Sequence, residues 1–195
     1  MTRPGGETIG LDRGAGGFQA TDGFCSDGGA FRAEGDIGGE DIVCPFHGGT
    51  FDIKTGEKLW YLPPIEAAAQ RTGSNFGFVQ EYGPGGAPGW AAPSYDPVRG
   101  WLFFGTGQNY THPTTDTSDA IFAVDAGTGK VMWVRQYTAD DAYTAACNIK
   151  ALNHPNCAVP TGPDADFGAP TMLLRAKSGR ELLVAGQKSA EVHAM

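Results

Sequence analysis

A nine-residue pattern occurs twice in this chain and constrains its fold more than any other sequence feature. The copies are residues 52–60 (DIKTGEKLW) and 125–133 (DAGTGKVMW), and both read D-x-x-T-G-[EK]-x-[LM]-W. In each copy we expect Asp to end one strand, Thr-Gly to form a turn, and Trp to pack inward on the next strand, which predicts a β-hairpin. Two copies are few for a stacked array, but a hairpin repeat with a fixed Trp is typical of a β-propeller blade.

The other apolar runs are short and bounded by Gly, Pro, Asn or Asp, which predicts strands of a mostly-β fold. These runs are residues 101–104 (WLFF), 120–124 (AIFAV), 131–134 (VMWV), 172–174 (MLL) and 182–185 (LLVA). Glycine (30 residues) and proline (13) make up more than a fifth of the chain, so many turns are expected. A helix is predicted only at residues 66–71 (EAAAQR), and residues 82–93 (YGPGGAPGWAAP) are expected to form no regular element.

The charge balance excludes one class of partner. The 195 residues include 14 basic and 22 acidic side chains, for a net charge of −8. Nucleic-acid surfaces carry clustered Lys and Arg, so no nucleic-acid partner is expected.

No apolar run approaches the ~20 residues of a membrane helix, so no membrane span is expected. The first residues (MTRPGGETIG) lack the apolar core of a secretory signal, which predicts either a cytoplasmic chain or a missing N-terminus. Because the chain stops at Met195 directly after a strand-like run, truncation is also expected.

Three potential iron ligands, Cys25, Cys44 and His47, cluster near the N-terminus. Cys44 and His47 lie three residues apart on a tight loop (CPFHG), and Cys25 begins a second loop (CSDGGA). Two such loops facing each other can hold a [2Fe–2S] cluster with mixed Cys and His ligands. By spacing alone, the two cysteines could also be buried thiols or form a disulfide.

Residues 7–57 resemble a Rieske-type ferredoxin. The family pattern C-x-H, a spacer, and C-P-x-H-G-x-x-F-D-x-x-T-G-E is followed by CSDGGAFRAEGDIGGEDIVCPFHGGTFDIKTGE. The preceding residues 6–24 (GETIGLDRGAGGFQATDGF) look like the two strands that lead into the first loop.

The resemblance implies iron–sulfur ligands at Cys25, Asp27, Cys44 and His47, but Asp27 stands where the family has its first His. Imidazole ligation raises the cluster's potential, so a carboxylate at this position should lower it. Three interpretations remain open: a working cluster with an Asp ligand, a degenerate cluster loop, or structural residues of another fold or of an artificially joined sequence.

The rest of the chain carries a Gly-Thr-Gly-Gln-Asn turn (residues 105–109), an Asp-Ala-Asp-Phe-Gly segment (164–168) and two further cysteines, Cys147 and Cys157. In this order they closely resemble the pyrroloquinoline-quinone (PQQ)-dependent alcohol dehydrogenases, and in particular their polyvinyl-alcohol dehydrogenase branch. The segments that carry the resemblance are GWAAPSYDPVRGWLFFGTGQNYTHPTTDTSDAIFAVDAGTGKVMWVRQ, CNIKALNHPNC, GPDADFGAP and GRELLVAGQKSAEVHAM.

The resemblance over residues 52–195 implies a propeller of W-motif blades, of which two to three fit in this chain. A propeller closes to remove its open sheet edges, so this region is expected to be a fragment or to need a partner. We expect an incomplete Rieske-like segment at residues 1–57 and an incomplete propeller segment at residues 58–195. The turn at residues 52–57 (DIKTGE) serves both family patterns, which makes it a natural place for a fusion or a false join.

The resemblance also implies roles for individual residues. Trp90 corresponds to the tryptophan that stacks on the flat quinone, and Lys188 to the basic residue that contacts the quinone oxygens. Asp166 corresponds to the catalytic carboxylate, which accepts the alcohol proton as a general base. Gln108 falls where the family places an amide ligand for Ca²⁺, and the oxygen of either Gln108 or Asn109 could serve. The competing interpretations are a core Trp, a solvated Lys, a surface Asp and a capped turn.

Some family features have no counterpart in the sequence. We find no match for the upstream Glu ligand of Ca²⁺, for a neighbouring Cys-Cys pair, or for a C-x-x-C-H site of covalent haem. The family works in the periplasm, where a disulfide between Cys147 and Cys157 is expected; in a cytoplasmic chain the pair would stay reduced. His112, His154 and His193 are interpreted as structural.

Three functional hypotheses follow from the sequence. The first is an alcohol-oxidising dehydrogenase fragment that uses PQQ and Ca²⁺, acts on an alcohol that could be polymeric, and passes electrons to an acceptor such as a cytochrome. The second is an iron–sulfur electron-transfer module. The third is a non-catalytic piece of a propeller.

Overall fold

The computed structural model describes residues 9–14, 17–22, 36–38, 41–43, 50–52, 58–60, 62–75, 79–89, 91–148 and 156–195. In these ranges the chain forms seventeen strands and one short 3₁₀ helix, Ala145–Asn148. The mostly-β prediction is therefore confirmed. Across the same ranges, no helix has the length and apolar character needed to cross a membrane.

The first two strands form an antiparallel hairpin, as predicted for the segment before the first cysteine loop. They are β1 (Ile9–Gly14) and β2 (Gly17–Asp22). Their register runs from the pair Ile9 and Asp22 to the pair Gly14 and Gly17 at the turn.

The next four strands form an antiparallel meander, called here the first sheet. They are β3 (Asp36–Gly38), β4 (Asp41–Val43), β5 (Thr50–Asp52) and β6 (Lys58–Trp60). Ile42 and Phe51 lie opposite each other and are both buried. The β5–β6 pairing confirms the hairpin predicted for the first copy of the repeat. This hairpin crosses the expected domain boundary after residue 57, and that boundary stays a prediction.

The helix predicted at residues 66–71 is absent, so that prediction is wrong. The chain is irregular and exposed from Glu66 to Ala69 and then enters β7 (Gln70–Asn75), which pairs with β8 (Val79–Gly83). Six residues are too few to offset the cost of helix nucleation without an apolar face to bury.

The glycine-rich stretch at residues 82–93 is more ordered than predicted. Tyr82 and Gly83 end β8, and Gly85–Gly86 forms the short strand β9. Gly86 has φ +103°, and a Cβ atom there would lie 2.4 Å from the amide nitrogen of Tyr110. Glycine is therefore required because another strand passes directly against its backbone.

The second sheet contains the second copy of the repeat. Its strands are β10 (Ser94–Asp96), β11 (Trp101–Gly105), β13 (Ala120–Asp125) and β14 (Val131–Gln136), in that order and antiparallel. The intervening β12 (Asn109–Thr111) pairs with β9 instead. The β13–β14 hairpin confirms the prediction for the second copy.

The third sheet is formed by β15 (Met172–Arg175), β16 (Glu181–Gly186) and β17 (Val192–Ala194). All five apolar runs that predicted strands lie within β11, β13, β14, β15 and β16. Arg99, beside the second sheet, pairs with Glu181 of the third at 2.5 Å.

The central strand β13 is buried on both faces, which explains its uninterrupted apolar sequence. Ile121 and Ala123 pack in a cluster with Phe167 and residues of the third sheet. Phe122 and Val124 point the other way and pack with Trp60 of the first sheet. The second sheet therefore lies between the other two and shares an apolar cluster with each.

The tryptophan of the first repeat contacts the turn of the second. Trp60 Nε1 donates a hydrogen bond of 2.7 Å to the carbonyl of Ala126. Gly129 has φ +73°, and a Cβ atom there would lie 2.7 Å from the Trp60 ring. The indole thus lies flat against a turn that only glycine can form this closely.

Candidate active site

The Gly-Thr-Gly-Gln-Asn turn that links β11 and β12 is held by buried hydrogen bonds. Thr106 is fully buried; its Oγ1 donates to the carbonyl of Thr117 at 2.6 Å and accepts from the amide of Ala120 at 3.1 Å. The amide of Gly107 donates to the carbonyl of Pro88 at 2.9 Å. Hydrogen bonds to two other segments of the chain therefore hold the turn without any bound ligand.

Asp166 is brought to this turn from 58 residues away. Its Oδ1 accepts a 2.9 Å hydrogen bond from the backbone amide of Gln108. The next residue, Phe167, packs against Gly105, where a Cβ atom would lie only 2.3 Å from the Phe167 Cβ. Glycine at position 105 thus allows the two segments to approach each other.

Lys188 completes the cluster. Its amide donates to the carbonyl of Asp166 at 2.9 Å, and its Nζ lies 2.5 Å from Asp164 Oδ2 and 3.4 Å from Asp166 Oδ2. The hydrogen bond to Asp164 raises the pKa of Lys188, with a further contribution from the charge of Asp166. The ammonium group therefore stays charged beside the two carboxylates.

The environment of Asp166 makes its carboxylate more basic. Burial raises its pKa, and the nearby charge of Asp164 raises it further. The Gln108 amide and the Lys188 ammonium act in the opposite direction by stabilising the ionised form. The net pKa shift is upward, as is found for carboxylates that accept protons in reactions.

Gln108 and Asn109 use their amide groups differently. Asn109 is fully buried, and its Oδ1 accepts a 2.9 Å hydrogen bond from the amide of Thr115. Gln108 donates through Nε2 to the carbonyl of Tyr143 at 3.3 Å, while its Oε1 accepts no hydrogen bond from another described residue. Of the two alternatives, Gln108 is the one with an amide oxygen available to a cation.

Two buried acids that the sequence interpretation missed lie behind this site. Asp141 Oδ1 and Oδ2 accept hydrogen bonds from the amides of Asp164 and Ala165 at 3.1 and 2.7 Å. Asp119 is fully buried, and no donor among the described residues reaches either of its oxygens. Burial, followed by the charge of Asp141, raises the pKa of Asp119 to about 8. We infer that Asp119 is protonated at neutral pH and Asp141 holds the loop that carries Asp166.

The remaining predicted site residues lie outside the described ranges. They are Trp90 and the four iron–sulfur candidates Cys25, Asp27, Cys44 and His47. His154 is also outside. Within the described part of the chain, no group of three or more His, Cys, Asp and Glu side chains is arranged to hold a metal ion.

The described histidines make structural contacts, and two cysteines are paired. His112 Nε2 lies 2.8 Å from the carbonyl of Pro160, and His193 Nε2 lies 3.1 Å from Gln187 Oε1. Cys147 and Cys157 form a disulfide. This disulfide ties the 3₁₀ helix to the segment that follows residue 155.

Two family models match this chain and overlap. The PQQ model, described as the glucose/ethanol/alcohol dehydrogenase β-propeller domain, matches residues 48–148. The Rieske [2Fe–2S] domain model matches residues 2–71. The β5–β6 hairpin lies in the overlap, as the turn shared by both sequence patterns predicts.

Known relatives are found for both segments. A polyvinylalcohol dehydrogenase of Sphingopyxis sp. (strain 113P3) is 36% identical over 154 residues, which are 78% of this chain and 24% of the relative. The ferredoxin component of the naphthalene 1,2-dioxygenase/salicylate 5-hydroxylase systems of Ralstonia sp. is 41% identical over 54 residues, or 28% of this chain and 52% of the relative. The chain thus spans about a quarter of the dehydrogenase relative.

A solved structure supports the same architecture. A europium-containing methanol dehydrogenase superposes with a TM-score of 0.54 at 22% identity, covering 82% of this chain and 30% of that one. At this identity the likeness concerns the fold alone, and it confirms the predicted partial propeller. The match over residues 48–148 shows that the chain belongs to the PQQ-type glucose/ethanol/alcohol dehydrogenase β-propeller family, and its residues 2–71 match the Rieske domain.

Proposed function

We propose that this chain contributes the general base of an alcohol-oxidising site that uses PQQ and Ca²⁺. The observation that carries the proposal is the buried Asp166 carboxylate, held through Oδ1 by the Gln108 amide and facing Lys188 through Oδ2. A buried acid with a raised pKa beside one fixed cation has the properties of a general base.

In this proposal Asp166 accepts the hydroxyl proton of the alcohol at Oδ2. Its Oδ1 is held by a backbone amide, so the carboxylate cannot rotate away from a bound alcohol. Its raised pKa strengthens it as a base relative to an exposed aspartate. Asp141 keeps the loop in place through two backbone amides.

The side chains around Asp166 also fit the proposed cofactor and cation. PQQ, when bound, supplies the two-electron acceptor for the alcohol. Lys188 would hold its oxygens, because the Lys188 side chain is half-exposed and charged, and Trp90 is the proposed stacking partner. Ca²⁺ prefers oxygen ligands, and Gln108 Oε1 is the proposed one, because Asn109 Oδ1 already accepts a hydrogen bond from Thr115.

For the substrate we propose an alcohol carried on a polymer, because the relative aligned over 78% of the chain bears the name polyvinylalcohol dehydrogenase. The electron acceptor is proposed to be a cytochrome, as the family resemblance implies. A periplasmic location is proposed as well, and the Cys147–Cys157 disulfide supports it because such bonds persist in oxidising compartments.

The test separates binding from proton transfer. PQQ binding to the chain, with Ca²⁺ present, is followed by near-UV absorbance, and turnover by dye-linked alcohol oxidation. We expect Asp166→Asn to retain quinone binding and to lower any turnover by about 10²–10⁴-fold, because an amide keeps the shape but accepts no proton. We expect Lys188→Ala to weaken quinone binding.

The matched control for Lys188 is Lys177→Ala, a change at another lysine of the third-sheet region for which no ion pair is found among the described residues. Unchanged turnover in Asp166→Asn would remove Asp166 from the reaction. Because the groups of such a site act as a unit, we expect turnover by these 195 residues alone to be low even where the quinone binds.

A second candidate function rests on a separate observation. The Rieske model matches residues 2–71, and the β1–β2 hairpin precedes the first cysteine loop as the ferredoxin resemblance implies. We propose that Cys25, Asp27, Cys44 and His47 form a cluster site in which the Asp27 carboxylate weakens iron binding. Iron content after anaerobic reconstitution tests it.

A further inference from the structure

A cleft of about 300 Å³ lies between the first and second sheets and takes no part in the proposed reaction. Its volume is at the lower end of the range found for clefts that bind small ligands. Side chains of both sheets form its walls, among them Asp41, Val43 and Thr50 of the first and Tyr95, Leu102 and Asp125 of the second.

The strand register places three residues of the first sheet on the side of this cleft. Asp41 and Val43 are two residues apart in β4 and therefore share one face of the sheet. Thr50 of β5 lies directly opposite Val43, and directly opposite residues of antiparallel strands also share a face. The Thr50 side chain is therefore on the cleft side of the sheet, together with the carboxylate of Asp41.

Thr50 carries a buried hydroxyl group without a partner. The residue is 1% exposed, and no hydrogen bond to its Oγ1 is found among the described residues. A hydroxyl group both donates and accepts hydrogen bonds, and a buried one that makes none destabilises the fold. A polar ligand in the cleft would remove this cost, so Thr50 is an independent indication of an occupant.

The acidic side chains of the cleft select a cation. Asp41 and Asp125 come from opposite walls, and none of the described residues of the lining is basic. The hydroxyl and the amide of Thr128 donate to Asp125 Oδ1 at 2.8 and 2.9 Å, and these bonds hold the pKa of Asp125 below its usual range. Asp125 is therefore ionised at neutral pH and would repel an anion.

The remaining lining favours an organic cation over a metal ion. Val43 and Leu102 are buried apolar residues, and Tyr95, which pairs with Leu102 in the register of β10 and β11, is 37% exposed. Such surfaces can cover the methylene groups of an alkylammonium ion, and the aromatic ring also attracts its charge. In the described part of the chain, no three acidic, His or Cys side chains are arranged to hold a metal ion.

We propose that this cleft binds a small alkylammonium ion. The two acidic side chains attract the ammonium group, Thr50 Oγ1 accepts one of its hydrogen bonds, and the alkyl chain packs against Leu102 and Tyr95. The site involves neither quinone nor Ca²⁺, so it goes beyond the proposed function and is tested independently of it. The bound ion would contact both the sheet that the Rieske model covers and the sheet that the PQQ model covers.

The first experiment measures binding of three small molecules of similar shape to the 195-residue chain at neutral pH. Saturation-transfer NMR is recorded with n-butylamine, which is positively charged at this pH, with neutral 1-butanol and with butyrate, an anion. We expect n-butylamine to bind at least about tenfold more tightly than 1-butanol, because hydrogen bonds between charged groups are the stronger ones, and butyrate not to bind.

Two outcomes of this experiment would overturn the assignment of the ligand. Equal affinity for n-butylamine and 1-butanol would show that the cleft does not select a charge. Displacement of n-butylamine by an equimolar amount of Mg²⁺ would show that the cleft prefers a metal ion to an organic cation.

A charge substitution locates the binding. Asp125→Asn keeps an oxygen that can accept the hydrogen bonds of Thr128 but removes the charge, so we expect it to weaken n-butylamine binding about tenfold and to leave 1-butanol binding unchanged. Asp116→Asn is the matched control, because Asp116 is exposed and does not line the cleft. Equal losses in the two variants would show that the net charge of the chain attracts the amine, which would overturn the site.

Thr50→Val should change stability and amine binding in opposite directions. Valine has nearly the shape of threonine without the unpaired hydroxyl, so we expect a higher midpoint of thermal unfolding for the free chain and several-fold weaker binding of n-butylamine. Thr111→Val is the matched control, since Thr111 Oγ1 is also buried without a partner among the described residues but lies outside this cleft. We expect this control to leave amine binding unchanged. Equal n-butylamine affinity in the natural chain, Asp125→Asn and Thr50→Val would overturn the proposal.

Discussion

The first and second sheets are built on the same plan and differ in what their loops carry. Both are four-stranded antiparallel meanders that end in the same D-x-x-T-G-[EK]-x-[LM]-W hairpin. In the first sheet the connection between the second and third strands contains Cys44 and His47; in the second sheet the equivalent connection contains Gln108 and Asn109. The shared motif therefore specifies the hairpin, and the loop before it carries the proposed ligands.

If one loop binds iron and the other contributes to PQQ binding, a substitution in one loop should abolish one kind of binding and leave the other unchanged. Asp27→His restores the family's His ligand, so we expect about two irons per chain after anaerobic reconstitution, against poor binding by the natural sequence. Adding Cys44→Ser to that variant should abolish iron binding and leave PQQ binding unchanged. Iron is measured by colorimetric assay and quinone by absorbance.

Asp22→His, in β2, is the matched control for this comparison and should bind no additional iron. If neither the natural chain nor Asp27→His takes up iron, the loops that carry Cys25 and Cys44 do not hold an iron–sulfur cluster. Loss of PQQ binding in Cys44→Ser would show that the two loops are not independent.

The close contact at Gly105 is expected to be the next most sensitive feature. Gly105→Ala places a Cβ atom 2.3 Å from Phe167, which must shift and take Asp166 with it. We expect a loss of about 1–3 kcal/mol in the free energy of unfolding, measured by urea denaturation, and weaker quinone binding. Gly186→Ala is the control, since no atom lies within 4 Å of its Cβ position; equal losses would refute the steric argument.

Asp119 should make the stability of the chain depend on pH. Burial, followed by the charges of Asp141, Asp166 and Asp164, raises its pKa to about 8 in the folded chain, against an ordinary value of 3.8. Between these values the unfolded chain binds fewer protons at this group, so stability falls as pH rises, by up to about 1.4 kcal/mol per pH unit. Asp119→Asn stays neutral and should flatten this slope in denaturation curves between pH 5 and 8; an unchanged slope would contradict the protonated assignment.

The smallest expected effect is a difference in unfolding free energy between substitutions of the two motif tryptophans, Trp60 and Trp133. Trp60 donates a hydrogen bond to the Ala126 carbonyl, whereas Trp133 packs against Phe103 with ring centroids 5.9 Å apart. Both Phe variants lose apolar area, but Trp60→Phe also leaves a carbonyl without its donor. We expect Trp60→Phe to cost about 1 kcal/mol more than Trp133→Phe, and equal unfolding free energies would show that the hydrogen bond contributes nothing.

The sequence predicted the hairpins well because their information is local. Turn residues and short apolar runs lie next to each other in the chain, so β11, β13 and β14 could be placed without tertiary knowledge. Residues 66–71 misled the same reasoning, because alanine favours a helix, whereas Gln70 and Arg71 pair with β8 and the residues before them are irregular. A weak local preference yields to tertiary pairing.

The candidate site was predictable only in part. Asp166, Gln108 and Lys188 were identified through the family resemblance, and their spacing along the chain gives no indication that they meet. Asp119 and Asp141 were missed because a buried acid and a turn acid look the same in a sequence, and most aspartates are exposed. A signal was present in Asp119, which stands directly before the fully buried strand AIFAV.

The contact of Trp60 with the Ala126–Gly129 turn joins the first sheet to the second. The indole ring of Trp60, from the first sheet, contacts this turn of the second sheet. The partly buried Leu62, two residues after Trp60, packs against the same apolar cluster. Trp60 lies at residues matched by both the Rieske and the propeller family models. A substitution in the first sheet that shifts this indole would therefore also disturb the turn of the second sheet.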